Sequence, residues 1–231
     1  MFLARLRTRE RIPERMDDPA LDPAAHLRAL AALARINRVS GSAGVLWPAV
    51  AKLAARLGRT VHLLDVATGS GDVPRALLQR AKRAGIDLRV SACDISLVAL
   101  EEAARRTPGA NFFPHNAVTD PLPTGFDVVT CSLFLHHLSD DEAVAVLANM
   151  RAAGGEVLVN DLARSRFGFC GVWAASHLLT TSRVVWFDGP ASVRSAFTPT
   201  EALALARRAG LTGATVAGKF PARFLLSWGA A

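Results

Sequence analysis

Cysteine is scarce in this 231-residue sequence: Cys93, Cys131 and Cys170 are the three. Their spacing fits neither a metal-binding set nor a disulfide framework. Cys93 and Cys131 sit in apolar runs and are expected as small buried core residues, a usage that suits a reducing cytoplasm. Lysine is confined to Lys52, Lys82 and Lys219, so the formal net charge of +7 rests on arginine. A basic chain raises nucleic acid or an anionic membrane surface as a partner. Apart from Arg5, Arg7, Arg9, Arg11 and Arg15, however, the positive charges are spread along the chain, and no stripe of aromatics and arginines suited to stacking on RNA bases is present. No stretch reaches the roughly 18 uncharged apolar residues of a membrane span; the nearest, Cys170 to Phe187, is interrupted by His177 and Arg183. Met1–Arg5 opens no apolar run of signal-peptide length, and a cytoplasmic location is expected. Internal repeats and low-complexity tracts are absent.

What is present is apolar. A hydrophobic content of 51% against 20% charged residues excludes a disordered chain, and the length suits one α/β domain with a sizeable core. Residues 1–22, charged and carrying Pro13 and Pro19, read as an arm. Asp22-Pro23 is a helix-start signal; Leu27, Leu30 and Leu33 follow at helical spacing, a break falls at 37–42, and a second helix over 45–57 ends at Gly58. From there strands alternate with helices: strands 61–66, 88–94, 111–115, 126–132 and 156–160, helices 73–84, 96–106 and 139–151, with Gly154-Gly155 expected as a turn. Such alternation means a mostly parallel sheet with right-handed crossovers. Thr198 and Glu201 form a capping box for a further helix, and strands over 213–219 and 222–228 close the sheet as an antiparallel pair. The expected organisation is an arm and helical cap at 1–58, a seven-stranded Rossmann-like α/β core at 59–231 with helices on both faces, and a lid at 163–197. Asp188 to Arg194 is expected as a polar turn in that lid.

The most informative segment is Asp65-Val66-Ala67-Thr68-Gly69-Ser70-Gly71-Asp72, a glycine-bearing turn between the first strand and a helix. Gly69 and Gly71 permit a tight turn and close approach of backbone to a ligand, and the helix N-terminus aims its N–H groups there. By itself the turn suits NAD, FAD, phosphate or S-adenosylmethionine. Asp94, ending the second strand, is placed to accept hydrogen bonds from ribose hydroxyls, with Ile95 beside it. Asn116-Ala117 follows the third strand, where an adenine edge would lie. Ser132-Leu133-Phe134-Leu135-His136-His137-Leu138 leaves the fourth.

In order and spacing, the chain from about residue 60 onward resembles class I S-adenosylmethionine-dependent methyltransferases. The turn resembles that of quinone-biosynthesis methyltransferases, in which Ala also replaces the first glycine. The resemblance implies S-adenosyl-L-methionine as cofactor and S-adenosyl-L-homocysteine as product. It further implies a cofactor site drawn from Asp65, Ala67, Gly69, Gly71, Asp94, Ile95, Asn116, Ala117 and Ser132. Asn116 departs from the usual Asp, though its carbonyl oxygen can still accept. A narrower resemblance, carried by Ile12 to Pro19, Asn160 to Ser165 and Asp188 to Pro199, is to small bacterial methyltransferases associated with type III polyketide synthases. It implies a phenolic or polyketide-derived substrate, phenolic lipids included, and secondary metabolism.

Methyl transfer is an in-line displacement for which positioning is most of the task, but a phenol of pKa near 10 gains from a base. His136 and His137 leave the carboxyl end of the fourth strand, where open α/β sheets bind ligands, and Asp161 leaves the neighbouring fifth strand. Histidine beside a carboxylate is a plausible proton-abstracting pair. Sugar O-methyltransferases of the class use similar residues, and on that resemblance His136 is the favoured base, Asp161 its helper and His137 the second choice. The alternative is that the same histidines only shape the start of the next helix and that Asp161 pairs with Arg164 or Arg166. Phe167, Phe169, Trp173, Leu178, Leu179, Trp186 and Phe187 would line a large apolar pocket. No metal is implied, since adjacent histidines lack helical ligand spacing and a third ligand is not evident. O-methylation of a phenol is the first expectation, and C-methylation of a quinol ring the second. RNA methylation and a non-catalytic S-adenosylmethionine-binding protein stand further back. A monomer or homodimer is compatible with the sequence.

Overall fold

The computed structural model describes residues 6–18 and 20–229; Met1 to Arg5, Pro19, Ala230 and Ala231 lie outside the described residues, Arg5 and Pro19 of the arm among them. Seven strands form one sheet: β1 (Val61–Val66), β2 (Leu88–Asp94), β3 (Ala110–Pro114), β4 (Phe126–Ser132), β5 (Gly154–Leu162), β6 (Thr215–Lys219) and β7 (Arg223–Gly229). Their order is β3-β2-β1-β4-β5-β7-β6. The pairings among β1 to β5 are parallel, and β7 runs antiparallel to both β5 and β6. The helices are α1 (Pro23–Val39), α2 (Ser42–Leu57), α3 (Asp72–Ala84), α4 (Leu97–Arg106), α5 (Asp140–Ala153), α6 (Arg166–Leu179), α7 (Arg183–Ser195) and α8 (Pro199–Arg208).

Successive strand residues point to opposite faces, so each central strand feeds two cores. Leu64, Val129 and Val157 pack with α5 and α8, whereas Leu63, Val128 and Leu158 pack with α2 and α3. Both faces being covered, the parallel strands are near-continuous apolar runs. Strand order reverses between β1 and β4, and in open α/β sheets the crevice at the carboxyl ends of such a pair receives ligands. The loops after β1, β2, β4 and β5 all open on that rim.

Three local expectations are corrected. Gly154 and Gly155 do not make a turn: α5 runs to Ala153 and β5 starts at the next residue. A Cβ on Gly154 would stand 2.8 Å from Val129 Cγ2 and 3.0 Å from the Phe126 carbonyl oxygen, so glycine is there for close approach to β4. Asp188 to Arg194 is not a polar turn but part of α7, with Pro190 inside it. Gly189 lies flat against α6, where a Cβ would meet Val172 Cγ1 at 3.0 Å, and this packing holds the helix against its poor propensity. Asp161 lies within β5 rather than beyond it.

Candidate active site

The turn after β1 is held by left-handed backbone at Ala67 (φ 55°), Gly69 (φ 54°) and Gly71 (φ 68°). Positive φ at Ala67 explains why glycine is the easier residue at that position. Gly71 is needed twice over, because a Cβ would also come within 3.0 Å of Ala103 and 3.2 Å of Phe112. Gly69 N–H donates to Asp94 Oδ2 at 2.8 Å and Ser96 N–H to Asp94 Oδ1 at 2.9 Å. Asp94 is not the cap of α4; Ser96 is, accepting from Ala99 N–H. Burial raises the Asp94 pKa, opposed by those amides. Each of its oxygens retains a lone pair for a hydroxyl.

The other expected cofactor residues divide. Ile95 is 71% exposed, a bare apolar side chain at the rim. Asp65 is buried beneath the turn, bonded to Thr130 Oγ1 at 2.6 Å, and burial pushes its carboxyl up to about 7. Asn116 turns its side-chain oxygen onto Val118 N–H at 3.1 Å, leaving its NH2 rather than its carbonyl to face outward partners. The Ala117 side chain belongs to the core. Ser132 accepts weakly from Asn160 Nδ2 at 3.4 Å, and the buried Asn160 side-chain oxygen has no donor among the described residues. A carboxylate with spare lone pairs, an exposed Ile95 and an orphaned acceptor on one rim fit a nucleoside carrying a cationic amino-acid tail. Leu30 of α1, missed in the sequence reading, closes over Gly69, 4.0 Å from where a Cβ would be.

Beside this rim a 3-10 turn, Leu135–His137, presents both histidines. His136 Nδ1 lies 2.6 Å from Asp161 Oδ1, and His136 N–H donates to Asp161 Oδ2 at 3.0 Å. Asp161 thus pairs with His136, not with Arg164 or Arg166. The Arg164 guanidinium instead binds Glu201 and the Ala196 carbonyl. The spacing of the sequence did not anticipate Glu14, whose Oε1 stands 3.4 Å from His136 Nε2 and 3.9 Å from His137 Nε2. His137 Nδ1 meets Asp17 at 2.9 Å. Glu14 is 8% exposed and accepts from Ser192 Oγ of α7, while Asp188 accepts from Arg15 N–H and Met16 N–H. Two of the three segments that carried the narrower resemblance, Ile12 to Pro19 and Asp188 to Pro199, are therefore packed together beside Asp161 of the third, and that pairing was the available signal.

Burial would lower the His136 pKa, but Asp161 and Glu14 outweigh it and raise it to about 10. For Glu14, burial is outweighed by His137, His136 and Ser192, and its carboxyl falls to about 2. The two carboxylates thus favour the charged form of His136.

Arg9 and Arg11 of the arm hold structure. Arg9 donates to the carbonyls of Ser195 (2.6 Å), His136 (3.1 Å) and Leu138 (2.5 Å) and lies over the Phe197 ring. Arg11 donates to the His137 carbonyl. A cavity of about 420 Å³ lies between the arm and helices α6 and α7, lined by Ile12, Phe169, Trp173, His177, Trp186 and Phe187 among others. His177 is sandwiched there between the two tryptophans at 4.6 and 5.1 Å. A second recess, bounded by α1, α2 and the outer side of α3, lies away from the histidines.

This strand order, glycine turn and β2 acid define the class I methyltransferase fold. Residues 63–154 match a methyltransferase domain family. It is similar to a ubiquinone biosynthesis O-methyltransferase of Idiomarina loihiensis, 29% identical over 120 residues, which are 51% of this chain and 49% of that protein. The chain spans about half the length of that curated relative. Among solved structures it resembles NcsB1, an O-methyltransferase from neocarzinostatin biosynthesis in complex with S-adenosylmethionine and 2-hydroxy-5-methyl naphthoic acid. That match has a TM-score of 0.64 and 22% identity, covering 95% of this chain and 62% of that one. It also resembles human N-acetylserotonin methyltransferase in complex with S-adenosylmethionine, with a TM-score of 0.66 and 18% identity, covering 91% and 57%. No helix among the described residues is long and apolar enough to cross a membrane.

Proposed function

We propose that this chain is an S-adenosylmethionine-dependent methyltransferase that methylates an oxygen of a phenolic or polyketide-derived small molecule. The observation that carries the reading is the His136–Asp161 pair at the rim that also holds the glycine turn and Asp94. The cofactor supplies a methyl group on a sulfonium. Asp94 would hold its ribose, Ile95 its adenine, and the turn at Ala67 to Gly71 its amino-acid part. Asp161 fixes the His136 tautomer with the proton on Nδ1, leaving Nε2 to take the proton of the substrate hydroxyl. Glu14 faces Nε2 and favours the charged imidazole, so Nε2 takes the substrate proton only after its own proton has passed to solvent and the substrate oxygen has taken the place of the Glu14 carboxylate.

Residues 1–58 serve in this reading as arm and cap, and 163–197 as the lid. Its aromatic cavity suits a flat ring. The naphthoic acid bound by NcsB1 and the hydroxylated substrates implied by the other O-methyltransferase names point the same way. A quinol ring methylated at carbon is the second reading, favoured by the likeness at the glycine turn.

Calorimetry with S-adenosylmethionine and S-adenosylhomocysteine tests the cofactor. Incubation with a panel of phenols and a deuterated methyl donor, followed by product NMR, tells oxygen from carbon attachment. His136→Ala and Asp161→Ala are expected to retain cofactor binding and to lose on the order of 10²–10⁴ in methyl transfer to a phenol. Unchanged transfer in both would remove the pair from the mechanism.

A further inference from the structure

We propose that Glu14, His136 and His137 form a binding site for a divalent transition-metal ion of the zinc type, which fastens the N-terminal arm over the turn after β4.

Three potential ligand atoms converge, Glu14 Oε1 and the two Nε2 atoms, all within 4.8 Å of one another. Zinc bonds to nitrogen and oxygen of about 2.0–2.1 Å in a tetrahedron place neighbouring ligand atoms roughly 3.3–3.4 Å apart. Glu14 Oε1 lies 3.4 Å from one imidazole nitrogen and 3.9 Å from the other. A charge-assisted hydrogen bond would be about 2.7–2.9 Å. The spacing thus exceeds that of direct contact and is near that of ligands sharing an ion.

The second observation is how the rings are held. Each histidine has its Nδ1 on a carboxylate, His136 on Asp161 at 2.6 Å and His137 on Asp17 at 2.9 Å. This carboxylate–histidine arrangement turns each Nε2 toward Glu14, where an ion would take the place of the Nε2 proton, and it is how metal-ligating histidines are oriented. Two imidazoles and one carboxylate suit zinc or a neighbouring first-row ion, and not the all-oxygen shells of calcium or magnesium. Two carboxylates behind the rings and one in front leave the neutral-histidine form negatively charged, which favours a dication. Glu14 and His136 are both nearly inaccessible, so the ion holds the closed arm, with the fourth position left for a water.

The site stands on these contacts alone. One consequence rests on the functional reading above: Nε2 of His136 cannot ligate an ion and accept a substrate proton together, so the metal-loaded chain transfers methyl slowly and chelation restores it.

The test uses the full chain stripped with a chelator and dialysed. Cobalt(II) titration should give the intense visible bands of a tetrahedral site, and zinc calorimetry should give one ion per chain. Glu14→Gln and His137→Ala should each weaken zinc binding at least about 100-fold. Asp17→Asn, at an exposed position that leaves the core intact, should weaken it about 10–100-fold. Circular dichroism melts establish that the variants fold. Absence of a tetrahedral cobalt spectrum, or equal zinc affinity in wild type and Asp17→Asn together with Glu14→Gln, overturns the proposal. S-adenosylhomocysteine capture is measured on the same stripped samples. Its loss with zinc binding intact would sink the methyltransferase reading and leave the metal site standing, and the converse result would do the opposite.

Discussion

An imidazole held between Asp161 and Glu14 ties the stability of the fold to pH. The folded pKa of His136, about 10, lies above its unfolded value near 6.5, so folding takes up a proton between the two. The stabilisation is complete below about 6.5 and is lost as pH rises toward 10. Thermal melts in chelator should therefore show the melting temperature falling across that window, with a shallower fall in Glu14→Gln. A flat profile would mean His136 is not charged in the fold. Glu14 works in the other direction: its depressed carboxyl adds stability above about 4.5, lost as pH falls toward 2. At another single residue, Gly154→Ala should cost about 1–3 kcal/mol in denaturant unfolding. Its backbone is extended (φ −152°), so the cost is the clash with Val129 and Phe126 and not conformational strain.

Among the elements, the arm is built into the molecule through main-chain carbonyls. The Arg9 side chain is 14% exposed and meets carbonyls from α7, from within the histidine turn and from just after it. Charged hydrogen bonds to such groups contribute roughly 1.5–3 kcal/mol each, not additively. Arg9→Ala should destabilise by at least about 2 kcal/mol and speed amide exchange at the arm and at Leu135–His137. Exchange unchanged there would show that the arm is held by its other contacts. The strands β1, β2 and β4 were legible to the residue because apolar runs stand between polar turns, as in Val61 to Val66. β5 and α7 were misjudged at their ends and middle because Gly154-Gly155 and Gly189-Pro190 are local turn signals. Here they serve close packing against β4 and α6, which no local window contains. The same limit hid Glu14. The histidines, Asp161 and Asp94 lie where strands end and could be found from strand order. A glutamate in an irregular arm, far away in sequence, reaches His136 only through the docking of Asp188 and Ser192 of α7.

For the molecule as a whole, the proposed cofactor would draw together parts that now meet only at the rim: the turn after β1, Asp94 at the tip of β2, and α1 through Leu30. A ligand bound only by the folded chain stabilises it by RT ln(1 + [L]/Kd), about 2.7 kcal/mol at a hundredfold excess over Kd. For a chain of this size that is a rise of roughly 5–10 °C in melting temperature. S-adenosylhomocysteine should produce such a shift, whereas adenosine triphosphate and NAD should not. Gly71→Ala should abolish it, because the added methyl meets Ala103 and Phe112 at a left-handed residue and must displace the turn. His136→Ala should keep it, since that ring belongs to the proton-handling side of the rim. A shift with NAD in place of S-adenosylhomocysteine would reassign the nucleoside, and with it the chemistry, while leaving the sheet and its rim as described.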